Sequence, residues 1–270
     1  MRLFGGDMAT NSVDWPIFVI SLPVATERRA ILGNKLAAAG LAFQFIDAVD
    51  GRNGLAPEWE ARIDRPGAHE RYGYPMSDGE FACSLSHQLA YVRVLEQGLP
   101  GAVILEDDAI LTPAFAQFYR QGHYRKADFI QLFCFAARIW RGPGRRSVGV
   151  TRLHGLAENA FSTVAYSISA RGAAYLHQAG QPVRSRSDWP AELSRIGGLL
   201  AVPSVVLHPP PTMAQSYLAD SRAGLVPDGF DYSARYVKGW RRLITPASWA
   251  SFVRKKLSRE IAPGFPLPDD

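Results

Sequence analysis

Short β-branched runs alternate with helically spaced apolar residues along the first half of the chain, and the alternation predicts layered α/β structure. Ile17-Phe18-Val19-Ile20-Ser21-Leu22 reads as a buried strand that ends at Pro23. Thr26 is placed to cap a helix over 27–39, and Gly40 suits the left-handed position that stops it. Phe43 to Val49 reads as a second apolar strand closed by the turn pair Asp50-Gly51. Strand, helix and strand in this order form the pattern of a parallel βαβ unit.

Residues 51–76 are rich in Gly, Pro and charge without periodicity and read as a long loop. Order resumes at Ser77-Asp78-Gly79-Glu80, a capping box, with Phe81, Leu85, Leu89 and Val92 at helical spacing after it. Ala102-Val103-Ile104-Leu105 is the clearest buried strand, and it runs directly into Glu106-Asp107-Asp108. Phe129 to Phe135, Thr163 to Ile168 and Val202 to Leu207 read as further strands of a mixed sheet, with a helix over Ala170 to Ala179. The pattern divides into a polar leader at 1–14, one main domain at 15–232 and a basic, aromatic extension at 233–270.

Composition narrows the class. The 270 residues are 47% hydrophobic and 20% charged, enough to bury a globular core. No apolar run reaches a bilayer span, and the start lacks the apolar segment of a secretory signal, so a cytoplasmic protein is expected. Two cysteines, Cys83 and Cys134, argue against a disulfide framework. The net charge of +5 is uneven: residues 1–135 carry 12 basic and 16 acidic side chains, residues 136–270 carry 18 and 9. The basic residues match no nucleic-acid-binding module, and no nucleic-acid partner is expected. Between Lys238 and Arg259 seven basic residues and no acidic one are interleaved with Trp240, Leu243, Trp249, Phe252, Val253 and Leu257. That pattern suits an interfacial helix on the inner face of an anionic membrane, or a helix docked on the domain.

Glu106-Asp107-Asp108 carries the strongest chemical signal. Neighbouring carboxylates repel by roughly 1 kcal/mol in water and about 4 at an effective dielectric of 20. A divalent cation offsets that repulsion, and oxygen ligands suit Mg²⁺ or Mn²⁺. Ligands of open α/β sheets gather at strand C-termini, where this triplet lies. Arg28 and Arg29, in the first turn of the first helix, suit an anion near backbone amides. His87 reads as a hydrogen-bonded packing residue, and His208, ahead of three prolines, as a candidate metal ligand. Asp188, in Ser187-Asp188-Trp189-Pro190, reads as a helix cap or as a general base, with Trp189 as a flat face for a sugar ring. Arg184, Arg186 and the Arg/Gly-rich stretch 138–152 are candidate phosphate contacts or solvated loops.

In order and spacing these segments resemble glycosyltransferase family 25, the lipopolysaccharide glycosyltransferases related to the collagen galactosyltransferases. The resemblance is carried by Ile17 to Leu22 with Glu27-Arg28-Arg29, Asp47-Ala48-Val49-Asp50-Gly51, Gly79 to His87, and Ile104-Leu105-Glu106-Asp107-Asp108. Weaker similarity continues at Ala165 to Ser169, Asp188-Trp189, Pro211 to Gln215 and Ser221. It implies a GT-A type, Rossmann-like domain that binds a UDP-sugar with Mn²⁺ or Mg²⁺. Asp108 would hold the metal, with Glu106 and His208 as further candidates, and Glu106 or Asp107 would contact the sugar nucleotide beside Ser21, Leu22 and Arg28. The implied activity is inverting transfer of galactose from UDP-galactose to a lipooligosaccharide or other glycan, with Asp188 as the base. The competing readings are a metal-dependent phosphohydrolase and a non-catalytic sugar-nucleotide-binding protein.

Overall fold

Ile17–Ser21 (β1) is buried at all five positions, which an extended segment tolerates only inside a sheet covered on both faces. A computed structural model, which describes residues 14–209, Leu225 and residues 253–262, places it there. The chain continues through Thr26–Ala38 (α1), Phe43–Asp47 (β2), two short helices at Pro57–Glu60 (α2) and Arg65–Tyr72 (α3), and Asp78–Glu96 (α4). Gly101–Glu106 (β3), Ile110–Leu111 (β4), Pro113–Arg120 (α5) and Phe129–Gln131 (β5) follow. Next come Ala137–Trp140 (β6), Arg145–Arg146 (β7), Arg152–Gly155 (β8), Ala165–Ser169 (β9) and Ala170–Ala179 (α6). Leu199–Val202 (β10), Val206–Leu207 (β11) and Ser258–Ile261 (β12) complete the described strands, and two short 3-10 turns lie at His123–Arg125 and Leu193–Ile196.

The main sheet has the order β2-β1-β3-β9-β5-β10-β8-β7. β1 runs parallel to β2 and to β3, β9 is antiparallel to β3 and β5, and β10 is parallel to β5, so the sheet is mixed as expected. Side chains of a strand alternate between faces, and the two faces bury separate cores. Ile17, Val19, Val103 and Leu105 pack with Leu32 and Leu36 of α1 and with Phe115 and Phe118 of α5. Phe18, Ile20, Ala102 and Ile104 pack with Ala90, Tyr91 and Val94 of α4 and with Ala173 and Leu176 of α6. This two-sided burial delivers the C-termini of β1 and β3 side by side, with Ile20 paired to Glu106.

Four local expectations are corrected. Thr26 is the first helical residue rather than the cap, and Ala25 at the cap position offers no side-chain bond. The stretch 51–76 contains α2 and α3, the latter capped by Asp64 accepting from the amide of Gly67. Of residues 129–135 only Phe129–Gln131 form a strand. The run 202–207 is split between β10 and β11, because Pro203 has no amide proton with which to continue a ladder.

The capping box at α4 forms in full, each partner bonding the other's backbone amide. Of the basic extension, residues 253–257 form a helical turn and β12 pairs antiparallel with β6, so this part docks on the domain through a strand as well as a turn. Trp240, Leu243, Trp249 and Phe252, the leader 1–13, and the segments from Pro211 to Gln215 and at Ser221 lie outside the described residues. Among the described residues no helix is long and apolar enough to cross a membrane.

Candidate active site

At the C-terminal ends of β1 and β3 a cleft encloses about 820 Å³ of space, part of it open to solvent. Ser21, Leu22, Arg28 and the triplet Glu106, Asp107 and Asp108 form one wall, and Val49 to Arg52 with Cys83 and His87 form the other. Every member of the expected sugar-nucleotide set is therefore in one place, although the set comes from three separate segments.

The three carboxylates have different neighbours. Asp107 accepts the Ser21 hydroxyl at 2.6 Å and the Arg28 guanidinium at 3.2 Å. Burial and the adjacent Asp108 charge nevertheless leave its carboxyl above the usual range. Glu106 accepts the Thr163 hydroxyl at 2.5 Å, and Nε2 of His87 lies 3.2 Å from the same oxygen. Burial pushes Glu106 upward, but these contacts outweigh it and hold its carboxyl below the ordinary value.

Asp108 differs again. Its Oδ2 lies 3.4 Å from Nε2 of His208 and 3.9 Å from Arg28, while its buried Oδ1 has no hydrogen-bond partner among the described residues. Burial alone would lower His208, yet the Asp108 carboxylate raises it. A buried carboxylate oxygen left without a donor is open to a hard cation such as Mn²⁺ or Mg²⁺, and the His208 imidazole beside it can add a nitrogen ligand once deprotonated. A second group, Cys83, His87 and Glu106, brings its potential ligand atoms within 4.8 Å of one another. It fits Mn²⁺ or Mg²⁺ less well, because a thiol is a soft ligand and burial pushes the Cys83 thiol well up, away from the thiolate a metal needs.

Asp188 also reaches this region but not as a helix cap. Its Oδ1 accepts from the backbone amide of Ser162 at 2.8 Å, and the nearest helical segment begins only at Leu193. Burial raises its carboxyl, the Ser162 amide opposes that rise and the Glu106 charge adds to it. Trp189 presents no sugar-binding face: at 2% exposure it packs edge-on against Phe129 and Tyr166 and donates to the carbonyl of Ala160.

Two of the candidate anion contacts are occupied structurally. Arg29 donates to the backbone oxygen of Ser21 at 2.7 Å and to Asp47 at 2.5 Å. Arg186 lies 2.7 Å from the buried Glu80 and stacks over Tyr72 and Tyr74. His87 is buried and hydrogen-bonded, as its reading as a hydrogen-bonded packing residue expects, and it is a link in a polar chain, with Nδ1 lying 2.8 Å from the Tyr166 hydroxyl, which donates onward to Tyr91. Thr163, which the sequence marks only as the start of a strand, donates its hydroxyl to Glu106.

The sequence matches the family model described as "Glycosyltransferase family 25 (LPS biosynthesis protein)" over residues 14–189. It is 31% identical over 121 residues to the lacto-N-neotetraose biosynthesis glycosyltransferase LgtE of Neisseria gonorrhoeae, covering 45% of this chain and 42% of that one. It is 30% identical over 174 residues to procollagen galactosyltransferase 1 of Danio rerio, covering 60% and 28%. It is also 31% identical over 178 residues to the inactive glycosyltransferase 25 family member 3 of Mus musculus, covering 62% and 29%. Each match thus spans less than half of the relative's own length.

Proposed function

The chain belongs to glycosyltransferase family 25, and on that premise we propose that it transfers galactose from UDP-galactose, with inversion, onto a lipooligosaccharide or another cell-surface glycan. The observation that carries the metal-dependent form of this reading is the buried, unpartnered Oδ1 of Asp108 beside His208. Asp108 and His208 hold Mn²⁺ or Mg²⁺. Glu106, engaged by His87 and Thr163, serves instead to orient the sugar. A cation held there supplies Lewis-acid neutralisation of the departing diphosphate.

The remaining steps belong to side chains. Arg28, within reach of Asp107 and Asp108, presents its guanidinium to the diphosphate, and Ser21 and Leu22 line the place of the nucleoside. The acceptor oxygen bonds to the anomeric carbon as that carbon's bond to the diphosphate oxygen breaks. Asp188 accepts the proton released by the acceptor hydroxyl, and burial, by raising its carboxyl, makes it a stronger base than an exposed aspartate. The protein works at the inner face of the cytoplasmic membrane, where the basic residues 254–256 and Arg259, tied to the Arg/Gly-rich stretch through the β6–β12 ladder, meet anionic lipid.

Melting temperatures measured with a panel of UDP-sugars, with and without Mn²⁺, test the donor and the metal together. The expected outcome is a Mn²⁺-dependent rise with UDP-galactose. Stabilisation by UDP-galactose that is indifferent to Mn²⁺ and to chelator would remove the metal from the proposal.

A further inference from the structure

We propose that Phe161 is the platform on which the pyranose ring of the acceptor stacks, an inference that rests on the glycosyltransferase reading above and names the acceptor subsite within it. Phe161 is 68% exposed, whereas most aromatic side chains among the described residues are buried. A single exposed apolar side chain is ordinary on a protein surface. The backbone around this one is not.

Ser162 has φ 116°, a region that glycine enters freely and a serine enters only when its surroundings hold it there. The side-chain amide of Gln131, fully buried, donates to the carbonyls on both sides of Phe161, at 3.2 Å to Ala160 and 2.8 Å to Ser162. The indole of Trp189 donates to the Ala160 carbonyl at 2.7 Å. The amide of Ser162 donates to Asp188 at 2.8 Å. With the carbonyls on either side drawn inward and the next amide tied to a carboxylate, the Phe161 ring is forced out of the core. Two buried side chains and the half-buried Asp188 thus maintain a strained bend whose product is one outward-facing aromatic ring.

Its position gives that ring a use. The residue after it is fixed on Asp188, the group proposed to receive the acceptor's proton, and the next residue, Thr163, donates to Glu106 at 2.5 Å. Neither Phe161 nor Thr163 lines the donor cleft, so the bend meets Glu106 from another side. A glycan hydroxyl delivered to Asp188 belongs to a ring lying within a residue or two of Phe161. The C–H face of a pyranose is apolar, and an exposed phenyl ring is its natural partner. The same bend that orients the carboxylates therefore also sets where the acceptor lies. Trp189, the aromatic that sequence alone offers for this purpose, is buried beneath the bend and acts only as its support.

The probes are methyl β-D-galactopyranoside and methyl β-D-glucopyranoside, bound in the presence of UDP and Mn²⁺ and followed by saturation-transfer NMR on wild type, Phe161→Ala and Phe161→Trp. We expect saturation of the ring protons in wild type, a weakening of at least about fivefold in Phe161→Ala, and recovery in Phe161→Trp. An unchanged rise in melting temperature with UDP identifies the alanine variant as folded and donor-competent. Equal saturation in wild type and Phe161→Ala overturns the inference, as does wild type that saturates neither glycoside. UDP-galactose turnover, assayed separately on wild type, distinguishes those failures from failure of the glycosyltransferase reading itself.

Discussion

Nε2 of His87 lies 3.2 Å from Oε1 of Glu106, and the other ring nitrogen of His87 lies 2.8 Å from the Tyr166 hydroxyl. The imidazole therefore joins the end of β3 to a buried tyrosine pair and sets the orientation of the first carboxylate of the triplet. His87→Leu leaves Glu106 and Tyr166 each short of a partner, and we expect a loss of about 1–3 kcal/mol in folding stability. We also expect a fall in kcat that exceeds any change in UDP affinity. His87→Gln, which keeps an amide donor within reach of Glu106, should restore part of kcat. Urea denaturation together with steady-state kinetics separates the two effects. Equal kcat in the leucine and glutamine variants would reduce His87 to a packing residue.

The elements that sequence revealed are those whose signals are local. β1 and β3 are buried on both faces and show as uninterrupted apolar runs, and the capping box of α4 is complete within Ser77 to Glu80. The carboxylate triplet shows because the strand feeding it is so apolar. What stayed hidden depends on partners distant in the chain. Asp188 looks like a cap for the residues after it, yet it serves the amide of Ser162, 26 residues earlier. Thr163 reaches back 57 residues to Glu106. His87 left a faint trace, because it follows Cys83 by four residues and so shares a helix face with it. Nothing local says that this face looks into the cleft rather than the core.

Asp108 and His208 should behave as a unit toward metal. Asp108→Asn keeps the shape of the side chain but removes its charge, and His208→Ala removes the nitrogen 3.4 Å away. In both variants we expect Mn²⁺ to lose its effect on the melting temperature in the presence of UDP, and transfer to fall at least about a hundredfold. Glu106→Gln should instead retain the Mn²⁺ effect, because its contacting oxygen faces His87 and Thr163. Loss of the Mn²⁺ effect in Glu106→Gln would return Glu106 to the set of metal ligands.

Asp188 should leave its mark on the pH profile. Burial raises its carboxyl above the usual aspartate range. A base acts in its deprotonated form, so kcat/KM should fall as pH drops through that raised value, beginning at a higher pH than an exposed aspartate would give. For folding the sign is opposite. A carboxyl raised in the folded state favours the fold when protonated, and that contribution is lost as pH rises through the folded value. Asp188→Asn should abolish the acid limb of kcat/KM and most of the activity, while its amide oxygen still accepts from Ser162. An acid limb unchanged in the asparagine variant would assign the base to another group.

Gly101 ties sheet packing to the site at the far end of the same strand. It pairs with Ser169 across the β3–β9 ladder, and a Cβ added there would lie 2.5 Å from the backbone oxygen of Ile168 and 2.6 Å from the ring of Trp15. Neither neighbour yields easily, because Ile168 is fully buried and Trp15 is 6% exposed. Gly101→Ala should therefore destabilise by about 1–3 kcal/mol through displacement of backbone and ring. Gly98 supplies the contrast. A Cβ there meets nothing within 4 Å, and only its φ of +60° disfavours alanine, a penalty of about 1 kcal/mol. Because β3 delivers Glu106, Asp107 and Asp108 to the cleft, the Gly101 variant should also weaken UDP binding where the Gly98 variant does not. Equal UDP affinity in the two would show that the ladder absorbs the added methyl group before the strand reaches the carboxylates.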